Sequence, residues 1–386
     1  MTGGKAFEWK VALILFGVLF LGVSDTQLVP PLLASIASEF HSSAGQTGII
    51  VTSYSLAAAV FALFAGPLSD RIGRKKVLVG GLALFTVASF STQHVTTLGA
   101  LVVARTFTGF AAGTLSTCAL SFAGDHYSYA QRGRAMGVLS MAYFLAFVIS
   151  APAGALMAPV WGWQSVFGCL ATLGVVVFVL AWWKLPASKR DRLTRPALPN
   201  FHLHFAKSDR LAGMVAAFLT SGGLVGFLTY VGAWLTNERQ VGVKSMALVF
   251  MISGVAAVAA APLSGWLADH AGKRRVIIWA NLLLAPVFFT VARLDWGWTL
   301  WLGVAVLGVA ASARQAPLHA LTTEIVGAEI RGEYTAIRNA ASQLGIAAAS
   351  AISAYVFDKS GFAGVSVVAA LFTALVPVSC IWLREQ

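Results

Sequence analysis

Runs of about twenty apolar residues recur from one end of this chain to the other, and they decide what it folds into. Hydrocarbon offers no water to backbone N–H and C=O groups, so only helices and closed barrels cross it. These runs are too long and too continuously apolar for barrel strands, which alternate apolar and polar residues. Twelve helices are predicted, over residues 10–36, 46–69, 76–93, 98–122, 134–157, 164–184, 210–235, 244–267, 276–293, 298–322, 334–356 and 362–383. The whole 386-residue chain is 58% hydrophobic and only 11% charged, whereas soluble domains carry roughly 25% charged residues. The first run, Val11 to Leu33, exceeds a signal-peptide core and contains Asp25 and Pro30-Pro31. It is expected to stay as a span.

An even number of spans returns both termini to one side. Arg239, Lys244, Arg293 and Lys359 fall on the other side, and Arg105 and Arg314 fall inside spans. Every other Lys and Arg lies on the side of the termini, which the positive-inside rule makes cytoplasmic. That distribution accounts for the net charge of +12 without nucleic acid, since the bases sit between spans and are not interleaved with exposed aromatics. Cys118, Cys169 and Cys380 all lie in apolar stretches and read as buried small residues rather than a disulfide framework.

Residues 185–209 form the one long polar connection, and its three prolines disfavour a continuous helix. It divides the chain into 1–184 and 210–386, six spans each, and the halves are related. "GPLSDRIGRKK" at 66–76 returns as "GWLADHAGKRR" at 265–275, an offset of 199 residues. Asp125 and Glu324, Arg132-Gly133 and Arg331-Gly332, and Glu39 and Glu238 keep the same offset. Internal repeats of six spans are typical of secondary transporters, with the solute site near the bilayer midplane. The fold class is therefore all-α integral membrane, with two six-helix bundles related by pseudo-two-fold symmetry.

At these residues the chain resembles the major facilitator superfamily, and within it the twelve-span proton-coupled drug and metabolite antiporters. The most specific element is the loop signature between spans two and three: Gly66, Leu68, Asp70, Arg71, Gly73, Arg74 and Lys75. A second, in span four, is Leu101, Arg105, Gly109, Ala111 and Ala112. The span-five pattern is partial: Ala151, Pro152 and Gly154 precede Ala155 and Leu156, and Gln164 stands where an Arg is common. In span one Gly22, Val29 and Pro31 fit, with Leu28 in place of the usual proline. The resemblance implies a latch at the cytoplasmic face that ties the halves together in one state. Its members here are Gly66, Asp70, Arg74 and Asp125, with Asp269, Lys273 and Glu324 as the second-half counterpart. Gly66 would let two helices approach closely where lipid gives no hydrophobic drive. Asp70 suits the partial positive charge at a helix N-terminus.

Asp25 is the one acid deep in an apolar run. A charge there costs about 2.5–3.5 kcal/mol on insertion scales and marks function by default. Arg105 lies at a similar depth on span four and is its expected partner in proton coupling, with His319 or Glu324 next in line as proton carriers. Arg314 has three readings: charge for an anionic solute, a tie between spans, or a side chain that snorkels to the interface. The cavity is expected to be apolar with a few polar groups, drawn from Phe107, Tyr143, Phe227, Tyr230, Trp234, Arg314, His319, Asn339 and Gln343.

There is no phosphate loop, and no acid pair or Cys/His cluster at catalytic or metal spacing, so enzyme activity and ATP-driven transport are not expected. The leading reading is efflux of small amphiphilic molecules in exchange for protons by alternating access. Movement of organic anions, sugars or other metabolites in either direction is the second, and a non-transporting membrane sensor the third. The proton would be the coupling ion, with no cofactor and no metal. The expected partners are a small-molecule solute, protons and the lipid of the cell (plasma or inner) membrane. The chain is expected to act as a monomer.

Overall fold

The computed structural model describes residues 7–187, 204–327 and 330–383. Among these the chain is a succession of helices joined by short turns. The first half supplies α1 (Trp9–Glu39), α2 (Ile49–Ile72), α3 (Arg74–Thr92), α4 (Leu98–His126), α5 (Tyr129–Trp161) and α6 (Trp163–Lys184). The second half supplies α7 (Ser208–Ala233), α8 (Val243–Ala271), α9 (Lys273–Val291) and α10 (Trp298–Glu324). The final stretch, Arg331–Cys380, is 50 residues long and breaks at Gly361 (φ 65°, ψ −165°) into α11 and α12. Among the described residues eleven stretches are long and apolar enough to cross a membrane, and that break makes two spans of the last. Most of the polar connection between the halves, 188–203, lies outside the described residues.

The 199-residue repeat is built into the backbone. Gly73 and Gly272 turn the chain with φ of 104° and 92°, and Gly162 and Gly361 with φ of 79° and 65°. A left-handed φ of this kind is open to glycine and costly for other residues, so the entries to α6 and α12 are fixed by sequence. Each entry is also held by a carboxylate. Glu39 accepts from the Trp163 indole N–H and the Gln164 amide, both at 2.6 Å, while Glu238 accepts the Phe362 backbone N–H at 2.9 Å. The unpaired N–H groups and positive end of a helix start favour an anion there.

Helices in lipid associate through close packing of small residues, and the repeat shows where it is closest. A Cβ on Gly109 of α4 would strike the Tyr54 carbonyl of α2, and one on Gly308 of α10 would strike the Ser253 carbonyl of α8. Each of these residues again lies 199 positions from its counterpart. Gly66 is different. A Cβ there would meet nothing nearer than Thr117 Cγ2 at 3.9 Å, so the expected close approach falls on Gly109 and Gly113 instead.

The two halves meet through α1 with α7, α2 with α11, and α5 with α8. The tightest joins lie toward the face away from the termini. Gly232 sits against the Pro30 carbonyl, and Gly45 against Asp358. On that face the short helix Ala44–Thr47 is capped by Ser43 in a capping box with Gln46. Asp358 of α11 accepts from Ser43 Oγ at 2.6 Å and from the Gly45 N–H at 3.0 Å.

The lipid-facing surface is apolar. Exposed tryptophans ring both ends: Trp161 and Trp298 toward the far face, and Trp182, Trp183, Trp266 and Trp382 toward the face of the basic loops. Tryptophan belts at these levels mark membrane–water interfaces. Cys118 and Cys380 are buried as expected, but Cys169 is exposed, because α6 turns one face outward where apolar residues meet lipid instead of protein. Gly109→Val should overpack the α2–α4 contact at a cost of about 1–3 kcal/mol. The thermal unfolding midpoint in detergent should fall by several degrees, while Gly124→Ala, with nothing within 4 Å of the added carbon, should leave it unchanged.

Candidate functional site

Asp25 and Arg105 meet inside the first half. Arg105 Nη1 donates to Asp25 Oδ1 at 2.7 Å, and the two side chains are 0% and 1% exposed. The guanidinium also lies over the Tyr54 ring at 4.7 Å and the Phe167 ring at 5.5 Å. Helices α1, α2, α4 and α6 thus enclose the pair. Such a pair escapes the cost of an isolated buried charge only while both partners stay ionised. It is not fully satisfied either: Asp25 Oδ2 and Arg105 Nε are buried without a hydrogen-bond partner.

At the basic loops, Arg74 joins Asp70 of the same phrase to Asp125 at the end of α4. It pairs with Asp70 at 2.9 Å and with Asp125, and it donates to Ser69 Oγ at 3.2 Å. Lys273 pairs with Glu324 at 2.8 Å at the corresponding place, and Asp269 is exposed beside them. In both halves the cluster ties the start of the third helix to the end of the fourth. Each therefore braces its own bundle here, and among the described residues Asp358 joins the halves by hydrogen bonds at the opposite face.

Arg314 is 0% exposed and its neighbours decide among its readings. Nη1 donates to Asn281 Oδ1 at 2.7 Å and Thr373 Oγ1 at 3.4 Å, and Nη2 donates to the Thr220 carbonyl at 3.1 Å. These acceptors belong to α9, α12 and α7, so Arg314 of α10 is a tie among four helices. It does not line an opening and does not snorkel.

A third intramembrane arginine escaped the sequence reading, which counted it with the basic loops. Arg338 lies two turns into α11 and is 3% exposed. Its Nη2 donates to His319 Nδ1 of α10 at 2.7 Å and to Asn339 Oδ1 at 3.0 Å. As the acceptor of an arginine N–H, the His319 imidazole is neutral. Tyr143 of α5, in the other half, lies within electrostatic reach of the same guanidinium. A regular polar-to-apolar boundary gave no signal for Arg338; the signal available was its place on the same helix as Asn339 and Gln343.

Of the other cavity candidates, Tyr143 and His319 are exposed, and Asn339 and Gln343 are half-buried, grouped around Arg338; Gln315, which the sequence did not single out, is exposed beside His319. Phe107 is 47% exposed on α4 and packs edge-on to Phe110. Phe227, Tyr230 and Trp234 instead fill the interior of the second half. Phe227 packs on Phe288 and Phe362, Trp234 stacks on Phe362, and Tyr230 stacks on Phe357 and donates to the Ser350 carbonyl. Among the described residues no group of His, Cys, Asp or Glu is placed to hold a metal.

The sequence matches the profile described as Major Facilitator Superfamily over residues 14–259 and again over 213–386. It is 25% identical to multidrug resistance protein D of Escherichia coli, over 77% of each chain. It is 24% identical to the gallate transporter of Pseudomonas putida, over 84% of this chain and 80% of that one. The xylose transporter XylE from E. coli, in a partially occluded inward open conformation, superposes with a TM-score of 0.79 at 16% identity, over 96% of each chain.

Arg314→Ala would strand the Asn281, Thr220 and Thr373 acceptors, at about 1–3 kcal/mol for each buried group left unpaired. Thermal melting should show a clear loss of stability. Uptake assays on whatever protein folds should show equal loss for anionic and cationic solutes, as a tie between helices requires.

Proposed function

This chain belongs to the Major Facilitator Superfamily of membrane transporters, and from that premise we propose that it exports small amphiphilic molecules in exchange for protons. Members of this family are transporters and not enzymes. The observation that carries the reading is the buried Asp25–Arg105 pair with its unpartnered carboxylate oxygen. The names of two relatives, a multidrug resistance protein and a gallate transporter, fit a solute with both apolar and polar parts.

The basic loops face the cytoplasm on this reading, by the same charge bias that sets topology in other membrane proteins. With its seam at the far face, the chain then stands closed to the outside. Protonation of Asp25 neutralises the carboxylate and frees Arg105, so the first bundle gains one net positive charge. Deprotonation toward the cytoplasm restores the pair. One charge crossing the full potential is worth about 2.3 kcal/mol per 100 mV, enough for a single carboxylate to drive useful accumulation. The Asp70–Arg74–Asp125 cluster acts with this cycle as the inner gate: Arg74 holds Asp70 while the inner side is open, and Asp70 becomes available to a helix N-terminus of the other half when that side closes. The protein needs no cofactor beyond the proton, and each monomer carries a complete pathway.

Asp25→Asn copies the protonated acid permanently. In proteoliposomes it should abolish export against a solute gradient and leave downhill exchange and surface expression intact, while Asp25→Glu should retain coupling with a shifted pH optimum. Uphill export by Asp25→Asn with the wild-type pH dependence would move the proton to another group. Orientation has its own check: cysteines at Thr96 and at Lys76 should react with a membrane-impermeant maleimide from opposite sides, Thr96 from outside.

A further inference from the structure

Of the three arginines inside the spans, Arg105 has a carboxylate and Arg314 has three neutral acceptors spread over its guanidinium. Arg338 has neither. Both of its hydrogen bonds leave from Nη2, and they go to a neutral imidazole and to the side chain of the next residue. Nε is buried without a partner, as it is in Arg105 and Arg314, and among the described residues Nη1 of Arg338 makes no hydrogen bond. No carboxylate among the described residues pairs with it. A full positive charge about 10 Å from the start of α11, at 1.5 Å per residue, is thus held in place with the N–H donors of Nε and Nη1 unclaimed. Charges in spans are costly and are retained for pathways and ligands.

The surroundings are those of an opening. His319 and Gln315, one turn apart on α10, are both exposed, and the Gln315 amide lies 3.2 Å from His319 Nε2. Tyr143, 37% exposed, brings a phenol from the other half of the chain. Gln343 Oε1 is a buried acceptor with no partner, a second unfilled bond one turn above Asn339. The position lies on the side of the basic loops, away from the seam that Asp358 closes.

We infer that Arg338 is the anchor of a solute site between the two halves, and that the solute carries a carboxylate. A guanidinium fork matches a carboxylate in shape and charge, and charge-assisted bonds of this kind are about twice as strong as neutral ones. His319 fixes the fork by accepting on Nδ1, and the Tyr143 ring offers the apolar body of the solute a surface from the opposite bundle. The assignment rests on the reading of the chain as an exporter and narrows its solute from amphiphilic molecules to amphiphilic acids.

Binding to purified protein in detergent, by calorimetry at neutral pH and without any gradient, tests the inference apart from coupling. The probes are benzoate, cinnamate and 1-naphthoate, each against its own primary amide. At least one acid should bind about 10- to 100-fold tighter than its amide, the difference expected when one charge-assisted pair is lost. Arg338→Gln should remove that preference, and Arg338→Lys should restore part of it, with both variants checked by gel filtration and thermal melting. Asp25→Asn should keep the preference, so a failure of proton coupling and a failure of acid recognition are told apart. Equal binding of acids and amides, no binding of any acid, or a preference that survives Arg338→Gln in folded protein would each overturn the assignment. If Arg338→Gln does not fold, alkylation settles it: a cysteine at Gln315 should be shielded from maleimide by the acid and not by the amide, and equal labelling under both would overturn it.

Discussion

Hydrocarbon gives a charged side chain no water, so every ionised group inside the spans has to find its counterpart within the protein. This constraint orders the whole structure. Arg105 meets it with a carboxylate, and the bond ties α1 to α4. Arg314 meets it with oxygens drawn from three other helices, which fixes α10 in the second bundle. Arg338 meets it halfway, through a histidine and an asparagine, and keeps N–H groups open. The three solutions grade from an ion pair, through a tie among four helices, to a cation that no carboxylate among the described residues meets.

The repeat supplies the frame on which these differences are placed. Turn glycines, helix-capping glutamates and the closest helix contacts all recur at the same offset, so the two bundles share a shape. Charge departs from the repeat. Asp25 corresponds to Leu224, Arg314 to Leu115 and Arg338 to Leu139. One scaffold used twice therefore carries a buried ion pair in its first copy and, in its second, two buried arginines that no carboxylate among the described residues pairs with.

Much of this was legible in the sequence because its causes are local. Span positions follow from length and hydropathy, and Asp25 stood out as an acid with apolar residues on both sides. Asp70, Arg74 and Asp125 were legible as a group through their repeated offset. Arg338 was not. It lies in the first turns of the predicted span 334–356, close behind Arg331 and Glu333, and so counts with the cytoplasmic bases; its burial depends on how α10 packs against α11, a contact between residues 19 apart in sequence. The role of Arg314 was open for the same reason, since Asn281, Thr373 and Thr220 come from three other helices. Hydropathy also cannot separate a residue buried in protein from one facing lipid, because both are apolar. Cys169 and Phe227 read alike and lie in opposite settings.

The seam at the far face is a helix cap divided between two bodies. Ser43 begins the short helix Ala44–Thr47 in one half, and the carboxylate that completes its N-terminus, Asp358, belongs to the other. Separation of the halves on that side leaves the short helix with its own Ser43–Gln46 box and without its anion. A cap of this kind is worth about 1 kcal/mol, which is roughly a fivefold change in population. This part of the closure biases the equilibrium and does not lock it. It adds to the packing of Gly232 on Pro30 across the same face, and it is the part that a modest change in charge is able to weaken.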